Sequence, residues 1–245
     1  MTLRLAMWSG PRNISTALMR AWENRPDCVV TDEPLYAAYL AATGLDHPMR
    51  DEVIAAGDTD WRRVADHLTT APVPEGRAIW YQKHMTQHLL PGMSLEWVHA
   101  LTNVLLIRDP AEVVESYLKS RAAVVPADIG LLQQAALYDE LLHAGSGEAP
   151  LVIDADDFLR EPEAQLRALC AHLGVAFDER MLHWPAGPRA SDGVWAPAWY
   201  EAVWRSTGFE PWRKRQPRLD APARAVADAC RAAYERLRAV RLLSP

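Results

Sequence analysis

Apolar residues gather along this chain in short runs, at 3–8, 28–31, 78–82, 104–107 and 151–153, each closed by a turn or a polar stretch. Runs of that length, rich in Val, Ile and Leu, read as strands buried on both faces. Between and after them the period changes to three and four. Ile14, Leu18, Met19 and Trp22 mark one helix directly behind the first run, and longer helical stretches are expected at 111–123, 129–143, 162–173, 197–206 and 221–240. The last is dense in Ala and Arg, good helix formers, and Gly174 follows Leu173 as a helix stop. Strands alternating with helices predict a parallel sheet covered on both sides. Segments 72–76, 145–150 and 184–194 carry loop chemistry but read as connections, not linkers. With no internal repeat, and with 245 residues of which 49% are hydrophobic, residues 1–245 are expected to form a single domain.

Charge narrows the partners. The chain has 26 basic against 32 acidic residues and a net charge of −6, too little positive charge to neutralise a run of nucleic-acid phosphates. A small molecule is the expected partner. Cys28, Cys170 and Cys230 are odd in number and far apart, which suggests neither a disulfide framework nor a zinc site. No apolar run approaches the roughly 20 residues that span a bilayer, and the N-terminus lacks a signal-peptide core, so a cytoplasmic location without membrane attachment is expected. A homodimer is compatible with all of this.

Ligands of open α/β sheets bind at the carboxyl ends of the strands, so Ser9 to Thr16, Asp32-Glu33, Lys83-His84 and Arg108-Asp109 are expected around one crevice. The first of these, Ser9-Gly10-Pro11-Arg12-Asn13-Ile14-Ser15-Thr16, leads from a strand into a helix N-terminus, where free N–H groups and the positive dipole end favour an anion. Arg12 adds a fixed charge, and Ser15 and Thr16 add hydroxyl donors. The spacing imitates the Walker A loop, but the Lys that reaches a γ-phosphate and the second Gly are missing. Behind the fourth run, Asp109 suits the N-cap, Pro110 the first helical position and Glu112 the third. Arg108 and, further along that helix, Ser116 are positioned to reach one shared anion.

Together these two segments resemble the cofactor signatures of the sulfotransferase family, which uses 3′-phosphoadenylyl sulfate (PAPS). Ser9 to Met19 is similar to the family's 5′-phosphosulfate loop, and Leu106-Ile107-Arg108-Asp109-Pro110 through Ser116-Tyr117 to its 3′-phosphate motif, with Arg and Ser eight apart. Ala155-Asp156-Asp157-Phe158-Leu159, Pro162-Glu163 and Cys170-Ala171-His172-Leu173-Gly174 resemble its late strand-and-helix region. Ile14 stands where the family loop usually has Gly. The resemblance implies a P-loop NTPase-like three-layer α/β fold with a central parallel sheet flanked by helices. It also implies transfer of a sulfuryl group from PAPS to a hydroxyl or amine of a small acceptor, with adenosine 3′,5′-bisphosphate (PAP) as product. The transferred group carries less charge than a γ-phosphoryl, so backbone donors and a few cations can suffice and no metal is required.

Such a transfer needs a base at the acceptor and a cation at the leaving oxygen. The resemblance makes Glu33 the base, with Asp32 its local competitor, and gives Lys83 the leaving-oxygen role. His84 is an alternative base because imidazole titrates near neutrality. His84 and His88 have the spacing of a helical metal pair but lack the Glu of an H-E-x-x-H motif. The family closes a late loop over the nucleotide, which brings in Arg189 and Trp195, whereas Arg213-Lys214-Arg215 reads more readily as a solvated face. Segments 46–70 and 126–134 are expected on the acceptor side. Two other readings remain: a P-loop small-molecule kinase, which the missing Walker Lys disfavours, and a non-catalytic nucleotide-binding module.

Overall fold

The computed structural model describes residues 2–143 and 149–243. Its centre is a five-stranded, all-parallel sheet of β1 (Leu3–Ser9), β2 (Cys28–Asp32), β3 (Ile79–Met85), β4 (Thr102–Ile107) and β5 (Leu151–Asp154), in the order β2-β3-β1-β4-β5. All five expected runs are strands. Side chains of β1 alternate between two apolar layers. Leu5 and Met7 join Leu18, Met19 and Trp22 of α1 (Ser15–Glu23) and Leu166 and Leu169 further along the chain, while Ala6 and Trp8 face Leu137, Tyr138, Ala227 and Leu237.

Behind β2 come α2 (Tyr36–Thr43), α3 (Arg50–Ala56) and α4 (Trp61–Thr70), none among the expected helices, although α4 carries a helical period in Trp61, Val64, Ala65 and Leu68. α2 is apolar on every side because much of it is buried. α5 (Pro110–Tyr117) starts as expected, with the Asp109 side chain accepting the Ala111 N–H at 2.8 Å. It ends six residues short of the expected 123, because past Leu118 no apolar stripe remains to bury. The expected helix 129–143 is broken by Gly130 at φ +74°, leaving α6 (Pro126–Ile129) and α7 (Leu131–His143). After β5 come α8 (Ala155–Arg160) and α9 (Pro162–His172). Gly174 stops α9 at φ +67°, its N–H bonding the Ala171 carbonyl and the Val175 N–H that of Cys170. α10 (Ala196–Trp199) and α11 (Glu201–Arg205) divide the stretch 197–206 at Tyr200, and α12 (Ala221–Ala239) closes the chain. Of the expected loop 145–150, residues 145–148 lie outside the described residues. The three cysteines are buried and unpaired, and no described helix is long and apolar enough to cross a membrane.

Candidate active site

Strand order reverses at β1, whose neighbours β3 and β4 run off to opposite sides, and the loop after β1 enters the crevice so formed. Ser9 is buried, its Oγ donating to the Gly10 carbonyl at 2.8 Å. Gly10 passes so close to the Ile129 carbonyl that a Cβ would lie 2.2 Å from its oxygen. Both residues support the loop from behind; it is 11–16 that line a cavity of about 310 Å³. Asn13 pins the loop to β4, donating from Nδ2 to the Leu106 carbonyl at 3.1 Å, while its Oδ1 accepts the Ile14 N–H at 2.8 Å. No side chain caps α1, and Ser15, Thr16 and Ala17, whose N–H groups lie in the unpartnered first turn, border the cavity. Ile14 has φ −85°, so its position makes no demand for glycine; the left-handed residue is Arg12, at φ +56°.

That twist turns Arg12 toward α5, where its Nε donates to Ser116 Oγ at 3.1 Å. Arg108, just past β4, donates from Nη1 to the Arg12 carbonyl at 2.9 Å and from Nε and Nη2 to one oxygen of Glu112, at 3.1 and 2.8 Å. Arg215 stands 3.8 Å from that same oxygen. Two guanidiniums, of Arg108 and Arg215, thus share one carboxylate, and Arg12 beside them adds a third positive charge, leaving this corner of the cavity cationic. Burial, then Arg108, lowers the pKa of Arg12, and burial raises that of Glu112 against the pull of Arg108.

Across the cavity, β2 and β3 deliver a buried charge cluster. Lys83 Nζ donates to Asp32 Oδ1 at 2.8 Å, to Glu33 Oε1 at 2.6 Å and to Tyr200 Oη at 2.6 Å. Tyr200 donates in turn to Asp32 Oδ2 at 2.7 Å and receives the Trp195 Nε1–H at 3.2 Å, and the Gly193 N–H reaches the same Asp32 oxygen at 3.2 Å. Burial alone would lower the Lys83 ammonium, but Asp32 and Glu33 outweigh it and hold its pKa well above the ordinary value. Glu33 is the member of the pair that reaches the cavity. Its backbone is left-handed, φ +40°, with the N–H bonded to the Lys83 carbonyl, and burial raises its carboxyl pKa although Lys83 opposes the rise.

Besides Ser9 and Gly10, two more expected residues do not join this cavity. Successive residues of a strand point to opposite faces, so His84 turns away from Lys83 and stacks on Trp8 at 4.2 Å, with Nε2 3.3 Å from Gln82 Oε1. Burial pushes its pKa down to about 3, and its place is the core, away from the cavity that Glu33 and Lys83 border. Arg189 bonds to Glu23 at 3.3 Å through Nη1 and, through its N–H, to Asp192, so it latches the late segment to α1 and does not line the cavity. Trp195 does line it, as does Arg215, which the sequence suggested for a solvated face. Tyr200, Tyr36 and Tyr39 line the cavity without a local pattern in the sequence that marks them, and His88, which the sequence offers only as half of a metal pair with His84, lines it too. Among the described residues, no group of three or more His, Cys, Asp or Glu is arranged to hold a metal ion.

Comparison with known proteins follows the same outline. The family described as Sulfotransferase domain matches residues 3–240. Two Arabidopsis thaliana proteins, branched-chain-amino-acid aminotransferase-like proteins 2 and 1, are 38% identical over 208 residues and 39% identical over 207, each match covering 84% of this chain. The chain spans 36% of the length of each of those relatives. Among solved structures, a sulfotransferase from Alicyclobacillus acidocaldarius is similar with TM-score 0.57 and 16% identity, covering 99% of this chain and 98% of that one. The sulfotransferase domain from the curacin biosynthetic pathway is similar with TM-score 0.54 and 17% identity, covering 94% and 97%. At such identities the likeness establishes the fold: a sulfotransferase-like α/β sheet flanked by helices.

Proposed function

The chain belongs to the sulfotransferase domain family, and from that premise we propose that it moves a sulfuryl group from PAPS to a hydroxyl or amine of a small-molecule acceptor by in-line displacement. The observation that carries this reading is the joining, in one cavity, of a cationic corner at Arg12, Arg108 and Ser116 with the Glu33–Lys83 pair, through the uncapped start of α1. PAPS supplies an activated sulfuryl group and two anionic ends. Residues 11–16 receive the 5′-phosphosulfate on backbone N–H groups and hydroxyls, and Arg12, Arg108 and Ser116 hold the 3′-phosphate by charge-assisted hydrogen bonds.

Glu33 takes the acceptor proton as the bond from acceptor oxygen or nitrogen to sulfur forms and the bond from sulfur to the 5′-phosphate oxygen breaks. Lys83 meets the charge that grows on that departing oxygen, Asp32 and Tyr200 keeping its ammonium in place and charged. A kinase reading lacks its Walker Lys, and the cations that line the cavity, Arg12, Arg108, Arg215 and Lys83, are arranged around two separate ends. The test is a pair of measurements on the purified protein. PAP should raise the melting temperature and Mg-ATP should not, and incubation with PAPS and a panel of hydroxyl and amine acceptors should release PAP only when acceptor is present. Stabilisation by Mg-ATP alone would overturn the proposal in favour of the kinase.

A further inference from the structure

Past Glu33 the cavity ends in a chamber walled by rings: Tyr36, Tyr39, His47, His88, Trp195 and Trp199 all border it. His88 stacks on Tyr36 at 4.8 Å and 8° and on Tyr39 at 4.7 Å and 30°. Trp195 meets Tyr36 nearly edge-on at 5.1 Å, and Trp199 lies 6.5 Å from His47. A hydrogen bond of 2.9 Å between Tyr36 Oη and His47 Nδ1 ties helix α2 to the segment that follows it. The wall is therefore made of rings already fixed by one another, which lowers the ordering cost of receiving a flat ligand.

The charges around this chamber are committed elsewhere. Glu33 is bonded to Lys83, and the Asp128 carboxylate receives the Val125 N–H at 2.9 Å. Arg121 donates to the Asp46 carbonyl at 2.6 Å and does not border the cavity. Burial lowers the pKa values of His47 and His88 from the ordinary imidazole value, so both rings are neutral near pH 7. An anionic acceptor would find no free cation here, and an ammonium-bearing one would have to compete with N–H donors for both carboxylates.

We propose that this ring-walled end is the acceptor subsite and that it selects an uncharged aryl alcohol, packed among Tyr36, Tyr39, Trp195 and Trp199 with its hydroxyl beside Glu33. The name acceptor rests on the sulfuryl-transfer reading above; the slot for a flat neutral ring rests on the aromatic wall itself. The test is equilibrium dialysis of PAP-loaded protein against 2-naphthol, choline and glucose. Saturable binding of 2-naphthol, with choline and glucose at least about tenfold weaker, is expected. Trp199→Ala and, independently, Tyr39→Leu should each weaken 2-naphthol about fivefold while PAP affinity stays within about twofold of wild type, which also reports that each variant is folded. No saturable naphthol binding, tighter binding of choline or glucose, or wild-type affinity in both variants would overturn the proposal. Assays with PAPS separate the two claims. Bound naphthol without PAP release, by it or by any acceptor, would leave the slot standing and count against sulfuryl transfer. PAP release with glucose or choline and no naphthol binding would do the reverse.

Discussion

A carboxylate can take a proton from an alcohol only if it is ionised and within reach of the acceptor. Glu33 meets the second condition through an unfavourable backbone, φ +40°, that brings its side chain from the end of β2 to the cavity, where a tenth of that side chain is exposed. Burial raises its pKa, so activity should fall as pH drops through a value above the ordinary 4.5 for Glu. Glu33→Gln is expected to cut kcat by about a hundredfold to ten-thousandfold and to abolish that acidic limb, while PAP binds as before; a fully active variant would move the base elsewhere. His84 makes a different prediction. Its ring is neutral in the fold, with a pKa near 3 against 6.5 for the unperturbed imidazole. Above pH 6.5 neither state is protonated and the full stability is present; as pH falls toward 3 the unfolded chain takes up a proton that the folded one refuses, and stability is lost. His84→Phe should flatten that loss, on the order of a few kcal/mol at its limit, in urea titrations compared at pH 7 and pH 5. A wild-type pH dependence in the variant would place the ring's proton equilibrium elsewhere.

Elements meet around the loop after β1 with little slack. Gly10 and Gly130 touch, and the missing side chain of Gly10 is what lets the Ile129 carbonyl approach. Gly10→Ala should therefore cost about 1–3 kcal/mol through enforced displacement of α6, visible as a lowered melting temperature at about 2–4 °C per kcal/mol, and it should weaken PAP by disturbing 11–16. An unchanged melting temperature would mean that the loop is less tightly backed. The strands and the two strand-to-helix turns at the cavity were legible because each has a local cause: a continuous apolar run, a turn rich in donors, an Asp-Pro helix start. Tyr200 was not, since nothing between 197 and 206 says that a Tyr will reach Lys83, 117 positions earlier in the chain. Nor was the separation of Lys83 from His84, though strand alternation alone predicts that adjacent residues cannot both face one cavity. Helices α2 and α3 escaped because a buried or short helix shows no clean amphipathic period, whereas α4 does carry one, Trp61, Val64, Ala65 and Leu68 behind the N-cap Asp60, and was legible.

For the molecule as a whole, the five parallel strands put every charged group of the site at one end of the sheet, and the reversal of strand order at β1 opens the crevice there. The late segment 184–206 then folds back over β2 and α1, delivering Trp195 and Tyr200 to the cavity and anchoring itself through Arg20, Asp192 and Glu23. Arg12 and Arg108 open on the same cavity, bound to each other through the Arg12 carbonyl. Occupancy should stabilise the whole domain: at a hundred times its Kd, PAP adds about 2.7 kcal/mol. The most direct test is a calorimetric titration of PAP into the wild-type protein and into Arg108→Ala. The account predicts one site per chain and a loss of affinity of about tenfold or more in the variant; an unchanged Kd, or no binding of PAP at all, would contradict it.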